Sequence, residues 1–179
     1  MIKFRDLTAN EIDVRVGMCK ENGLTLLLYK DARCDMNILD ETVGAENWER
    51  EHYECKGNLF CKVGINTNFD KDGSLPNWVF KSDCGTESNT EKEKGEASDS
   101  FKRACTNWGI GRELYTSPFI WAKADDCKIK SFAQQGKTKY KCDDKFAVEK
   151  IIIENKRITA LAIKNATLNK RVFVWQESK

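Results

Sequence analysis

Apolar residues recur along the chain at two spacings, every second position and every three to four, and the switches between them predict its elements. Ile12, Val14, Val16 and Met18 alternate with other residues in IDVRVGMCK, the spacing of a strand with one face toward a core. Glu21, Asn22 and Gly23 interrupt that run and LTLLLY follows, so residues 12–29 predict a β-hairpin. Its second arm, residues 24–29, is apolar on both faces, which predicts a central, covered strand. Met36, Leu39 and Val43 then share one helical face between Asp31 and Gly44, with Asp31 or Asp35 as cap and Gly44 as stop. Strand character returns in Trp48–Cys55 and Asn58–Asn66, a second hairpin across Lys56-Gly57-Asn58. It returns again in Trp78–Cys84, after a loop whose turn signal is Asp72-Gly73. A short turn is expected within residues 4–11, where Thr8 and Asn10 are capping types.

Residues 90–115, TEKEKGEASDSFKRACTNWGIGRELY, carry the strongest helical pattern. Ala97, Phe101, Ala104 and Trp108 fall within an arc of roughly 60° at about 100° per residue, and Cys105 widens it. Lys102 and Arg103 point to either side of the opposite face, with Asp99 and Thr106 between them. Gly109 and Gly111 end the helix as C-cap glycines do. Thr90 with Glu93 fits a capping box, although Gly95 weakens the first turn and Ser98 is another possible start. After Thr116-Ser117-Pro118 comes a short strand over residues 119–122. Residues 124–144 are Lys-rich and weakly patterned, and read as loop or mobile segment. The end holds three β runs parted by Glu154-Asn155-Lys156 and Asn169-Lys170, a meander that forms its own sheet or adds an edge to the main one. The pattern is α+β with antiparallel strands. It predicts a core domain over 1–122 and a basic C-terminal β extension over 123–179, packed on the same domain.

Composition narrows the class without naming a function. The chain has 179 residues, 32% charged and 40% hydrophobic, the balance of a soluble domain with one core. A net charge of +2 is uninformative, but its distribution is not. Residues 128–179 hold 13 Lys or Arg against 5 Asp or Glu, and the first 127 residues hold 17 against 23. A basic third on an acidic body suits a polyanion partner, or equally a β-hairpin with Lys-protected edges. MIKFRDLTANE has no apolar h-region and nothing approaches a membrane-spanning run, so an intracellular protein with reduced thiols and no membrane partner is expected. The eight cysteines form no CxxC pair, and with His52 as the single histidine they read as small buried hydrophobes rather than a metal site.

The run SDSFKRACTNWGIGRELY resembles the helix of the Sak-type phage single-strand annealing proteins and, more distantly, the Rad-fifty-two recombination family. The matching positions are Lys102, Arg103, Ala104, Trp108 and Gly109. LDETVGAENW and the glycine-bearing DCGTES also look familial, so the resemblance covers residues 24–115, with β-β-β-α as its core order. It implies a Rad-fifty-two-like annealing fold in which the Lys-Arg pair faces a groove for single-stranded DNA. The eukaryotic relatives carry a further basic residue where this chain has Thr106, and Arg112 is the candidate to replace it. Arg33, at the start of the first helix, is a second-rank candidate, equally readable as a surface arginine. Lys92 and Lys94 stand before the main helix and are candidates for touching a second strand. Trp48, Tyr53 and Trp78 read as core rather than as stacking platforms.

Phosphates call for Lys and Arg, and unstacked bases for apolar or aromatic surface. The resemblance implies annealing without bond chemistry by a homo-oligomeric ring or filament, in recombination and repair, encoded by a phage or prophage and acting in a bacterial cytoplasm. Catalytic residues, metal and cofactor are not expected, and the chain has no GxxxxGK[ST] P-loop. The host single-strand binding protein is a candidate partner. Two other readings stay open. A metal-dependent nuclease would use Asp40 with Glu54, Cys55 and Lys56, a spacing that chance supplies easily among 28 acids. A structural oligomer indifferent to DNA would tolerate loss of Lys102 and Arg103.

Overall fold

The computed structural model describes residues 2–86 and 92–178, and of residues 92–94 the backbone alone. In chain order the strands and helices are β1 (Asp13–Lys20), β2 (Gly23–Tyr29), α1 (Ala32–Val43), β3 (Trp48–Cys55), β4 (Asn58–Asn66), β5 (Trp78–Cys84), α2 (Lys92–Trp108), β6 (Ile120–Lys123), β7 (Ile129–Gln134), β8 (Lys137–Cys142), β9 (Phe146–Glu154), β10 (Arg157–Asn165) and β11 (Lys170–Gln176). Every paired strand is antiparallel, so the class is α+β. No helix among the described residues is long and apolar enough to cross a membrane.

The chain gathers into two compact units, residues 1–6 with 31–112, and residues 7–30 with 113–179. The expected division at residue 122 cuts across them. The first, the helical unit, holds the sheet β3-β4-β5 with α1 and α2. The second, the sheet unit, holds the order β11-β10-β9-β1-β2-β6 and the separate hairpin β7-β8.

Local chemistry explains the elements of the helical unit. Asp31 caps α1 by accepting from the backbone N–H groups of Arg33 and Cys34 at 2.6 and 3.2 Å. Burial alone would raise its carboxyl pKa, but those N–H groups and the Arg33 guanidinium hold it below the usual value. Gly44, at φ 85°, ends the helix. The buried face is Cys34, Asp35, Ile38, Leu39 and Val43, so Leu39 and Val43 are core while Met36 is only half-buried. The β3-β4 turn places Lys56 and Gly57 at φ 53° and 75°, the two left-handed residues of a type I′ turn. Register then puts Cys61, Val63 and Ile65 of β4 on the face that α2 covers, all at 0% exposure. The opposite face of the sheet carries Tyr53, Phe60, Trp78 and Phe80 in two stacked pairs.

In the sheet unit β2 is central, between β1 and β6, as its apolar run predicts. It is not covered on both faces: Leu24 and Leu26 are buried while Leu27 and Tyr29 are exposed. The C-terminal meander is no sheet of its own. β9 pairs with β1 through Asp13↔Ala147 and Val14↔Phe146, which joins the meander to the N-terminal hairpin. Residues 124–144, expected as loop, contain β7 and β8. Their turn residues Gln135 and Gly136 lie at φ 52° and 73°, again type I′. Because residues 130–139 are all exposed, this hairpin has no buried face to impose an apolar alternation.

Candidate nucleic-acid interface

α2 is seated on β4 and β5 by apolar burial and by a ring of polar ties. Phe101, Ala104 and Cys105 are at 1% exposure or less, matching the predicted helical face. Phe101 stacks on Trp48 with ring centroids 6.1 Å apart, and the Arg50 guanidinium lies 4.8 Å from its ring centre. His52 Nε2 bonds the Ala97 carbonyl at 3.1 Å, which makes this histidine a strap between β3 and α2. The indole N–H of Trp108 donates to the Val63 carbonyl at 3.0 Å. Gly85 is required because a Cβ there would stand 2.2 Å from the Glu96 carbonyl oxygen of the passing helix.

The helix ends in a Schellman motif. Gly109 sits at φ 100°, its N–H donates to the Thr106 carbonyl, and the Ile110 N–H reaches back to Cys105. Gly111, at φ 68°, precedes Arg112, whose guanidinium donates to the carbonyls of Thr106 (3.0 and 3.2 Å) and Asn107 (3.1 Å). Arg112 therefore stands at the turn of Thr106, the position where the sequence lacks a basic residue. A cation at a helix C-terminus also meets the partial negative charge of the unpaired carbonyls.

The other sequence candidates have different environments. Lys102 is half-buried, and among the described residues its ammonium has no hydrogen-bond or carboxylate partner. Arg103 is turned toward β5, where its Nε lies 3.3 Å from Asp83 Oδ1, so part of its charge is balanced. Asn107 bonds the same Asp83 carboxylate and the Ser82 carbonyl. Arg33 remains at the start of α1, with 82% of its side chain exposed and its guanidinium on the cap Asp31 at 3.0 Å. Lys92 and Lys94 belong to the first turn of α2 rather than preceding it, and their side chains, that of Glu93 and the whole of Thr90 lie outside the described residues.

Lys81 is a cation that sequence reading did not single out. It lies on the helix-facing side of β5, opposite Val63. Its ammonium is 4.6 Å from the centre of the Trp108 ring and donates to the Asn107 carbonyl at 2.8 Å. The available signal was its place in WVFKSDC, where strand alternation assigns it to the covered face. Among the aromatic residues, Trp48 is half-buried against Phe101, whereas Tyr53 and Trp78 are on the exposed face, each at 37%. Asp40, a member of the nuclease pattern, accepts the Trp48 indole N–H at 2.6 Å. Among the described residues no group of three or more His, Cys, Asp or Glu is arranged to hold a metal ion. Comparison with protein-family models, with curated proteins and with solved structures finds no match.

Proposed function

We propose that this chain binds single-stranded DNA and anneals complementary strands without ATP, in homologous recombination or repair. The observation that carries the reading is α2 itself. It follows three antiparallel strands, and it presents Lys102 and, just past its end, Arg112 without carboxylate partners among the described residues. Phosphate can replace a missing counter-ion at such groups, whereas an ion-paired cation must first give up its carboxylate. The likeness of SDSFKRACTNWGIGRELY to the Sak-type and Rad-fifty-two helices supports the same assignment, and with it a Rad-fifty-two-like fold.

In this mechanism Lys102, Arg103 and Arg112 screen the phosphates of an extended strand while its bases stay free to pair. Base pairing supplies the free energy, so the protein breaks no bond. Arg33, Lys92 and Lys94 extend the contact. A homo-oligomeric ring or filament would lengthen one short groove into a continuous track, with the host single-strand binding protein as further partner in a bacterial cytoplasm.

Energy transfer between two complementary dye-labelled oligonucleotides tests the reading without metal or nucleotide triphosphate. The expected result is faster pairing with the protein, lost in Lys102→Glu. That substitution disturbs no described contact of the side chain. Equal acceleration by wild type and variant would remove Lys102 from the site, and no acceleration by either would remove the annealing function.

A further inference from the structure

A cleft of about 780 Å³ opens in the helical unit beside the C-terminal end of α2. Four cations line it, Lys3, Lys71, Lys81 and Arg112, against one carboxylate, Asp70. None of the four makes an ion pair among the described residues. Lys81 and Arg112 both donate to the carbonyl oxygen of Asn107, at 2.8 and 3.1 Å, which holds two like charges side by side. The helix terminus offsets only part of that charge, because its dipole is worth about half an elementary charge. Lys71 bonds the neutral Asn68 side chain, and Asp70 pairs with none of the cations. This concentration of unpaired charge arises in a unit whose sequence is acidic overall, with 13 Lys or Arg against 17 Asp or Glu.

The walls are built rather than loose. Asn66 Oδ1 accepts from the backbone N–H groups of Asn68 and Asn77, and Thr67 and Asn77 bond each other through backbone and side chains. The amide network braces the loop that carries Lys71, so its backbone is preorganised before any ligand arrives. The volume falls within the roughly 300–1,000 Å³ of small-molecule sites, far more than one phosphate fills. Trp108 adds an aromatic wall.

We propose that this cleft is a phosphate-binding site which takes a phosphodiester segment of the single strand, sharing Arg112 with the Lys102 edge of α2 and adding Lys3, Lys71 and Lys81 to it. The proposal rests on the single-strand reading above, and a free nucleotide would satisfy the same chemistry. Lys3 and Lys71 are exposed and lie outside α2 and the sheet beneath it, so Lys3→Gln with Lys71→Gln tests the cleft without unseating the helix. Fluorescence anisotropy of a dye-labelled oligothymidylate would be followed over a salt series, with Lys56→Gln as an exposed control. Each lost phosphate contact lowers the salt slope by about 0.7, so the pair should lower it by about 1.4 and weaken binding roughly 20-fold at 0.1 M salt. A wild-type slope and affinity in the double variant would overturn the cleft and leave annealing intact. If the wild type binds no strand, the single-strand reading fails, and tryptophan emission titrated with inorganic phosphate and with a mononucleotide decides the cleft by itself. A saturable change that disappears in the double variant keeps it as a site for free phosphate esters. No change overturns it.

Discussion

The two units of the molecule carry charge in opposite ways. The sheet unit is basic by count, with 17 Lys or Arg against 11 Asp or Glu, and about a third of those cations are ion-paired. Lys130 and Lys141 share Asp143, Lys170 meets Asp126, Arg171 meets Glu149 and Arg157 meets Glu177. The helical unit is acidic by count, yet its Lys102, Lys81 and Arg112 stand without carboxylate partners among the described residues. Net charge describes how a molecule drifts in a field, whereas a phosphate responds to the few groups within a Debye length of about 10 Å at 0.1 M salt.

The largest test of this contrast removes the platform under the unpaired cations. Phe101→Ala deletes a ring at 1% exposure that stacks on Trp48 and faces Arg50, and should cost about 3–5 kcal/mol. Chemical denaturation measures it. A loss under about 1 kcal/mol would show that the polar straps, not this ring, seat α2.

Next in size is a pair of strand-binding measurements. Lys102→Glu with Arg103→Glu should weaken binding about a hundredfold, from the lost Lys102 contact plus the repulsion of two new carboxylates beside Asp83, which Arg103 no longer balances. Lys130→Gln with Lys141→Gln should change it by less than about threefold, because those cations already serve Asp143. The reverse ranking would move the interface to the sheet unit.

A third test uses pH. Burial pushes the Cys61 thiol up to about 11, against a smaller opposite pull from Arg50. A folded-state pKa above the unfolded one stabilises the fold below the unfolded value and withdraws that contribution as pH rises. The helical unit should therefore lose roughly 2 kcal/mol between about pH 9 and pH 11. Cys61→Ala should start less stable and show a shallower alkaline slope in melting temperature. Burial, with Cys142 and Asp144 nearby, also pushes Cys127 up, to about 12, so the sheet unit retains some alkaline slope in that variant. The smallest effect is expected from Arg171→Gln, which breaks an exposed pair with Glu149 and should shift the melting temperature by about 2 °C or less.

The sequence by itself determined what depends on neighbours within a few residues. The strands Trp48–Cys55, Asn58–Asn66 and Trp78–Cys84, the face of Phe101 and Ala104, and the stop at Gly109 all follow from side-chain period and backbone freedom. What it left open depends on contacts between distant residues. Whether the meander stood alone or extended another sheet was settled by β1 pairing with β9 across more than a hundred residues, a choice no local pattern encodes. The hairpin β7-β8 was illegible because exposed strands need no apolar alternation, and its turn is Gln-Gly rather than Asn-Gly. The Lys-Arg pair was visible as a motif, but tertiary structure separated its members: Arg103 is held on Asp83, while Lys102 has no partner among the described residues. Lys81 and Arg112 meet on one carbonyl only because β5 lies beneath the end of α2, and the force between charges depends on that distance in space rather than on their separation along the chain.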